Sequence, residues 1–256
     1  MAFKIRFLLT SKCTATCAYC HNEGQDKKGT PLLHLNVITR ILNTLEAHDC
    51  VPDEITLSGG EPTIHKQVAE IARLCKATGA FVSMDSHGGH PNLLQPALPY
   101  LDELKLHIDS FDAAEQHASM GIDISKVRTS ISMAQQFPLV LRTNHPLKHE
   151  ASTTTFVTEA RTLGVDCKII DMFDMDAPEK QFPKVDWQTH GYTRDCTGQW
   201  LHANGTHRLF TKRCGAIHNK QNDTLFIGAD GIRRALDGIP IGKPENFTMH
   251  MVKRSV

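Results

Sequence analysis

Apolar positions along this chain switch repeatedly between a period of two and a period near 3.6. Phe3-Lys4-Ile5-Arg6-Phe7-Leu8-Leu9 alternates and favours strands, which predicts a first strand. Leu35 to Ala47 carries Val37, Ile38, Ile41, Leu42 and Leu45 at helical spacing, and Glu54-Ile55-Thr56-Leu57 reads as a short strand. Val68 to Lys76 is helical again and ends near Gly79. Ala80 to Met84, Glu103 to Ile108, Leu139 to Arg142 and Val165 to Ile170 read as four further strands, with helical stretches near Ile124 to Gln136 and Thr153 to Leu163. Six such β/α repeats by residue 172 imply a parallel sheet covered by helices, because parallel strands need crossover connections. The expected fold class is α/β, a partial (β/α)6 TIM-like barrel.

Beyond Asp174 the rhythm fails. Asp176-Ala177-Pro178-Glu179 and Phe182-Pro183 read as a linker. Thr224 to Ile227, a turn at Ala229-Asp230-Gly231, and Ile232 to Leu236 form a β-hairpin signal. The predicted division is a barrel over residues 1–175 and a small C-terminal extension over 176–256 that contains the hairpin.

Composition narrows the class. At 256 residues and 40% hydrophobic the chain can bury a full core. The opening residues lack a long apolar segment, no stretch approaches a membrane span, and the eight cysteines do not suggest a disulfide framework, so we expect a reducing, cytoplasmic setting. Formal charge is zero, which gives no electrostatic argument for nucleic acid or membrane. Between Lys180 and Lys220, however, seven Lys/Arg face only Asp186 and Asp195. That local excess reads either as a solvated basic face or as a pocket for an anionic substrate.

Candidate chemistry sits just after the first strand. Ser11-Lys12-Cys13-Thr14-Ala15-Thr16-Cys17-Ala18-Tyr19-Cys20 has C-x3-C-x2-C spacing. Three thiolates suit an iron–sulfur cluster and leave one iron of a four-iron cluster open to an outside ligand. A structural zinc knuckle and a disulfide pair are the alternatives; His21 follows directly, but no tidy second Cys/His pair completes a zinc shell. Ser58-Gly59-Gly60-Glu61-Pro62 follows the second strand. Glycines there let backbone approach a ligand closely, and a carboxylate beside them can pair with an ammonium group.

Together these motifs resemble the radical S-adenosylmethionine (radical SAM) superfamily, with Tyr19 in the aromatic slot of C-x3-C-x-(aromatic)-C and Gly59-Gly60-Glu61 as its GGE motif. The likeness covers residues 3–173. Asp85-Ser86-His87-Gly88 stands where many members have a "TNG" turn, and Lys105 to Asp112 resembles the "VSLDS" segment of the molybdenum-cofactor GTP-cyclase branch. Arg142-Thr143-Asn144 and Ile169 to Phe173 are similar to that branch's fifth and sixth strand ends, while His87 and His107 depart from the pattern.

The resemblance implies a 4Fe-4S cluster on Cys13, Cys17 and Cys20, with S-adenosylmethionine at its open iron. It also implies that Gly59, Gly60 and Glu61 position the cofactor, that Ser86, Asp109 and Asn144 contact its carboxylate or ribose, and that Tyr19 packs near the adenine. A turn cap or strand-end hydrogen bond remains the alternative for those three polar residues, and a plain hydrophobic role for Tyr19. The implied chemistry is reductive cleavage of the cofactor and hydrogen abstraction by a 5′-deoxyadenosyl radical; with the basic tail, we expect a small or nucleotide-like anionic substrate, phosphate-bearing compounds among the candidates. An electron donor such as flavodoxin or ferredoxin would serve as partner.

Cys196 and Cys214, followed by the hairpin, resemble the SPASM or twitch extensions, although no cysteine follows Cys214. The pair would serve as ligands of an auxiliary cluster, as a hydrogen donor, or as buried hydrophobes. Other readings are a glycyl-radical-enzyme activase, which Cys20-His21-Asn22 also resembles, a modifier of a peptide or of a nucleobase in nucleic acid, and a non-catalytic cluster- or SAM-binding regulator.

Overall fold

The computed structural model of the chain describes residues 3–20, 22–25, 32–171, 184–213, 224–234 and 238–253. Six strands lie side by side in chain order: β1 (Lys4–Leu8), β2 (Glu54–Ser58), β3 (Phe81–Ser86), β4 (Glu103–His107), β5 (Val140–Leu147) and β6 (Asp166–Asp171). All five pairings are parallel, so every connection must return along the sheet. Helix α1 (Leu35–Glu46) joins β1 to β2, and α2 (Val68–Ala77) joins β2 to β3. A short α3 (Pro91–Leu94) with a 3-10 turn (Gln95–Tyr100) leads to β4, α4 (Ala113–Met120) and α5 (Ile124–Ala134) lead to β5, and α6 (Glu150–Thr162) leads to β6.

Strand alternation sorts the two faces of the sheet. Ile5, Phe7, Ile55, Leu57, Val82 and Leu104 are fully buried with Ile38, Ile41 and Ile71 of the helices in one core. Each such burial is worth about 1.5–3 kcal/mol, so the pattern fixes which side the helices cover. The alternate positions, Arg6, Thr56, Ser58, Ser83, Asp85, Lys105, Arg142 and Lys168, are polar and line the inner face of the partial barrel.

The C-terminal part supplies strands to both ends of this sheet. In chain order, β7 (Tyr192–Arg194), β8 (Trp200–His202) and β9 (Arg208–Arg213) lie beyond β6, with β9 beside β6 and parallel to it and β7 outermost. At the other end β10 (Thr224–Gly228) pairs parallel with β1, and β11 (Gly231–Arg233) pairs antiparallel with β10. The hairpin turns at Ala229-Asp230 as the sequence suggests, but β11 ends at Arg233; Ala235 and Leu236 lie outside the described residues. The sheet stays open, running β11-β10-β1-β2-β3-β4-β5-β6-β9-β8-β7. A last helix, α7 (Met249–Lys253), packs Val252 onto the same core. Among the described residues no helix is long and apolar enough to cross a membrane.

Candidate active site

The cysteine loop leaves β1 at the C-terminal ends of the parallel strands, where ligand sites gather in open α/β sheets. Cys13 and Cys17 are half-buried and Cys20 is exposed. None of the described cysteines is in a disulfide. The backbone N–H of Ala15 donates to Cys13 Sγ at 3.3 Å, and that of Asn22 donates to Cys20 Sγ at 3.3 Å. Such donors stabilise electron-rich sulfur, which is the state a cluster ligand adopts. Burial pushes the Cys13 and Cys17 thiols up to about 11, so ligation there releases protons. Among the described residues no three His, Cys, Asp or Glu stand close enough to hold a single metal ion. His21 lies outside the described residues.

The Gly-Gly-Glu turn at the end of β2 grips the stem of this loop. Gly60 N donates to Thr10 O at 2.6 Å and Glu61 N donates to Lys12 O at 2.9 Å. A Cβ on Gly60 would stand 2.2 Å from Lys12 O, and one on Gly59, whose φ is +127°, would stand 2.4 Å from Thr10 O. The close approach the glycines permit is therefore to the cysteine loop's own backbone. Glu61 is fully buried and caps the 3-10 turn Pro62–Ile64. Its Oε1 accepts from Thr63 N (3.1 Å), Thr63 Oγ1 (2.6 Å) and Ser86 Oγ (2.8 Å), and its Oε2 accepts from His87 N (2.9 Å). The carboxylate thus ties the end of β2 to the end of β3. Ser86 is spent on that tie, donating to Glu61 and accepting from Gly88 N at 3.0 Å.

Two further contacts hold the loop. Thr14 Oγ1 lies 3.0 Å from His87 Nε2 and 2.8 Å from His90 Nε2. Thr16 N donates to Met120 O at 2.9 Å, at the end of α4, where Gly121 adopts φ +68° and closes the helix. Tyr19 crosses to β4: its hydroxyl donates to Asp109 Oδ1 and lies 2.9 Å from His107 Nε2. Lys148 Nζ sits 5.0 Å from the Tyr19 ring centre and 2.7 Å from Asp109 Oδ2. Burial and the Asp109 charge push the phenol well above its usual range. Burial opposes the ionised Asp109, but hydrogen bonds from His107, Lys148 and Tyr19 outweigh it and hold the carboxyl low. Sequence reasoning noted His87 and His107 only as departures and missed Thr14 and Lys148 altogether.

Below the loop the inner face is charged. Arg6 Nη2 reaches Glu23 Oε1 (2.5 Å), Ser58 Oγ (3.0 Å) and Asp85. Lys105 Nζ lies 3.2 Å from both Glu54 and Glu103. Burial works against an ionised Asp85, yet Arg6, Lys105 and Lys168 hold it below the usual carboxylate range. On β5, Arg142 pairs with Glu103 at 2.9 Å and lies 4.1 Å from the Phe210 ring centre. Its buried Nε has no hydrogen-bond partner among the described residues, and neither has Asn144 Oδ1 on the same strand. Asn144 is 9% exposed and stands level with His107 and Lys168 on the neighbouring strands.

An orphaned acceptor at that depth is open to a donor such as a water or a ligand hydroxyl. The paired N–H···S bonds and this acceptor together fit a cluster and a bound nucleoside at the strand ends.

Of the two C-terminal cysteines, Cys196 is exposed in the turn between β7 and β8, held by Asp195 Oδ1 accepting from Thr197 N and Gln199 N. Cys214 lies outside the described residues.

Residues 7–137, just over half of the chain, match the family profile described as "Radical SAM superfamily". The chain is 25% identical over 179 residues to a probable GTP 3′,8-cyclase of Pyrococcus horikoshii, covering 69% of this chain and 57% of that protein. It is 36% identical over 87 residues to a putative glycyl-radical enzyme activating enzyme of Methanocaldococcus jannaschii, covering 32% of this chain and 33% of that one. SuiB of Streptococcus suis, solved with its precursor peptide SuiA, shares the fold at a TM-score of 0.68 and 10% identity, over 93% of this chain and 60% of SuiB.

Proposed function

The chain belongs to the radical SAM superfamily, and from that premise we propose that it abstracts hydrogen from a small or nucleotide-like anionic substrate. It is an iron–sulfur enzyme of that superfamily, whose members bind a 4Fe-4S cluster and S-adenosylmethionine. When bound, the pair supplies a 5′-deoxyadenosyl radical on reductive cleavage of the sulfonium.

In this reading Cys13, Cys17 and Cys20 hold the cluster, and the turn at Gly59, Gly60 and Glu61 positions the cofactor. Asn144 offers an unpartnered acceptor, which suits a ribose hydroxyl, while its amide N–H groups can donate to a carboxylate. Ser86 acts by bracing Glu61, and Asp109 by bracing Tyr19 and Lys148. The residues themselves bind, orient and keep the reacting region away from water.

The observation that carries the substrate class is Arg142, a guanidinium on the inner face whose Nε–H is unpartnered among the described residues and which lies over an aromatic ring. A phosphate or carboxylate entering the inner face would compete with Glu103 for this partly exposed guanidinium. Support also comes from the relatives named GTP 3′,8-cyclase. The activase reading draws on the similarity to the Methanocaldococcus protein. A reconstituted, reduced sample offered GTP and other nucleotides should form 5′-deoxyadenosine faster with at least one of them, and Arg142→Met should lose the acceleration. Basal cleavage that no nucleotide accelerates contradicts the nucleotide-like substrate.

A further inference from the structure

Glu61 does not touch the cysteine loop with its side chain, yet a chain of hydrogen bonds with fixed directions connects them. Gly89 N donates to His87 Nδ1 at 2.9 Å, so Nδ1 is the acceptor and the neutral ring carries its proton on Nε2. That N–H faces two acceptors, Glu61 Oε2 at 3.3 Å and Thr14 Oγ1 at 3.0 Å. With its oxygen receiving from His87, Thr14 donates its own proton to His90 Nε2 at 2.8 Å. Thr14 stands between Cys13 and Ala15, the residue whose N–H reaches Cys13 Sγ. His87 is 4% exposed and held at its backbone N–H and both ring nitrogens, whereas Thr14 is exposed and has no other side-chain anchor among the described residues.

We propose that His87 is a positioning residue: it carries the anchored Glu61 carboxylate to Thr14 and so keeps the Ala15 N–H aimed at the Cys13 sulfur. The inference rests on the cysteines being cluster ligands and adds a residue that the sequence motifs do not contain. In this role His87 acts through the loop, by its contact with Thr14.

The test compares Thr14→Val, Thr14→Ser, His87→Leu and the double variant Thr14→Val/His87→Leu. Thr14 is exposed, so Thr14→Val leaves the fold intact even if the buried His87→Leu does not. In the cluster-free protein, the Ala15 and Thr16 amides should exchange hydrogen roughly tenfold faster in His87→Leu, as loss of one ordinary hydrogen bond gives, and at least that much faster in Thr14→Val, which loses the contacts to both His87 and His90. The double variant should add nothing to Thr14→Val, and Thr14→Ser should behave as wild type. Unchanged exchange, or additive effects, overturns the proposal. In the reconstituted protein the cluster potential should become more negative in Thr14→Val, because a sulfur that loses a donor stabilises the reduced cluster less. An unchanged potential also overturns it. Absence of any cluster in the wild type would instead strike at the ligand assignment, while the exchange measurement still reads the contact.

Discussion

A neutral imidazole sealed inside the molecule makes His145 the clearest acid-sensitive residue of the fold. It is 3% exposed, stacks on Phe156 at 4.0 Å between ring centres, and bonds to Ile108 O and Thr153 Oγ1. Burial lowers it to about 4 from an ordinary value of 6.5. Between those values the unfolded chain binds the extra proton and the folded chain does not. Stability is therefore full above pH 6.5, falls as pH drops through the window, and loses no more from this group below 4. The shift corresponds to about 3 kcal/mol. Burial opposes ionised Glu54, but Lys105 and Lys4 bring it down to about 2, so this carboxyl continues the loss as pH falls below 4.5. Urea unfolding of His145→Gln across pH 6.5 to 4 should show a much flatter decline than wild type. An identical slope would mean that His145 is not the group responsible.

At the scale of elements, the decisive contact is the turn after β2 against the loop after β1. Gly60→Ala puts a methyl against Lys12 O at 2.2 Å and Ser11 O at 2.8 Å, backbone atoms that cannot rotate away. The cost is about 1–3 kcal/mol, and the loop must shift. Iron bound after reconstitution should fall below roughly half of wild type. Gly79→Ala, at φ +84° with nothing within 4 Å, should lose only about 1 kcal/mol and keep its iron. Equal iron in both variants would mean that the turn does not shape the cluster loop.

The six β/α repeats were legible because their outer faces alternate cleanly, as in Ile5 and Phe7 or Ile55 and Leu57. Helix α4 was missed although Asp112 caps Ala114 N and Glu115 N and Gly121 closes it, because only Gln116 and Met120 of that helix are buried. Strands β7 and β8, three residues each among glycines and histidines, are too short to show a period. The site was legible through Cys13, Cys17, Cys20 and the Gly-Gly-Glu turn. The Thr14–His87 and Tyr19–Asp109 contacts were not, since they join residues 73 and 90 positions apart.

Across the whole molecule, the break near residue 175 is a break in the chain's rhythm and not in the sheet. Strand β10 covers the edge of β1, and β9 covers the edge of β6. Removing residues 176–256 would leave both edges with unpaired backbone groups, a template for aggregation. Such a truncated chain should elute as aggregate in size-exclusion chromatography with light scattering. A monomer with a cooperative melt would show that residues 1–175 fold independently. On the inner face Arg6, Lys105 and Arg142 are paired with Glu23, Glu54, Asp85 and Glu103 beneath the cysteine loop, where a buried single charge would be costly.

The proposed site at this loop and turn stands or falls on reductive cleavage of S-adenosylmethionine. The most direct measurement is 5′-deoxyadenosine formed by anaerobically reconstituted, dithionite-reduced protein, in wild type and in Cys17→Ala. The wild type should form product and the variant none above background. A fully loaded wild-type cluster that yields no 5′-deoxyadenosine, or a Cys17→Ala protein that yields as much, would contradict the proposed site.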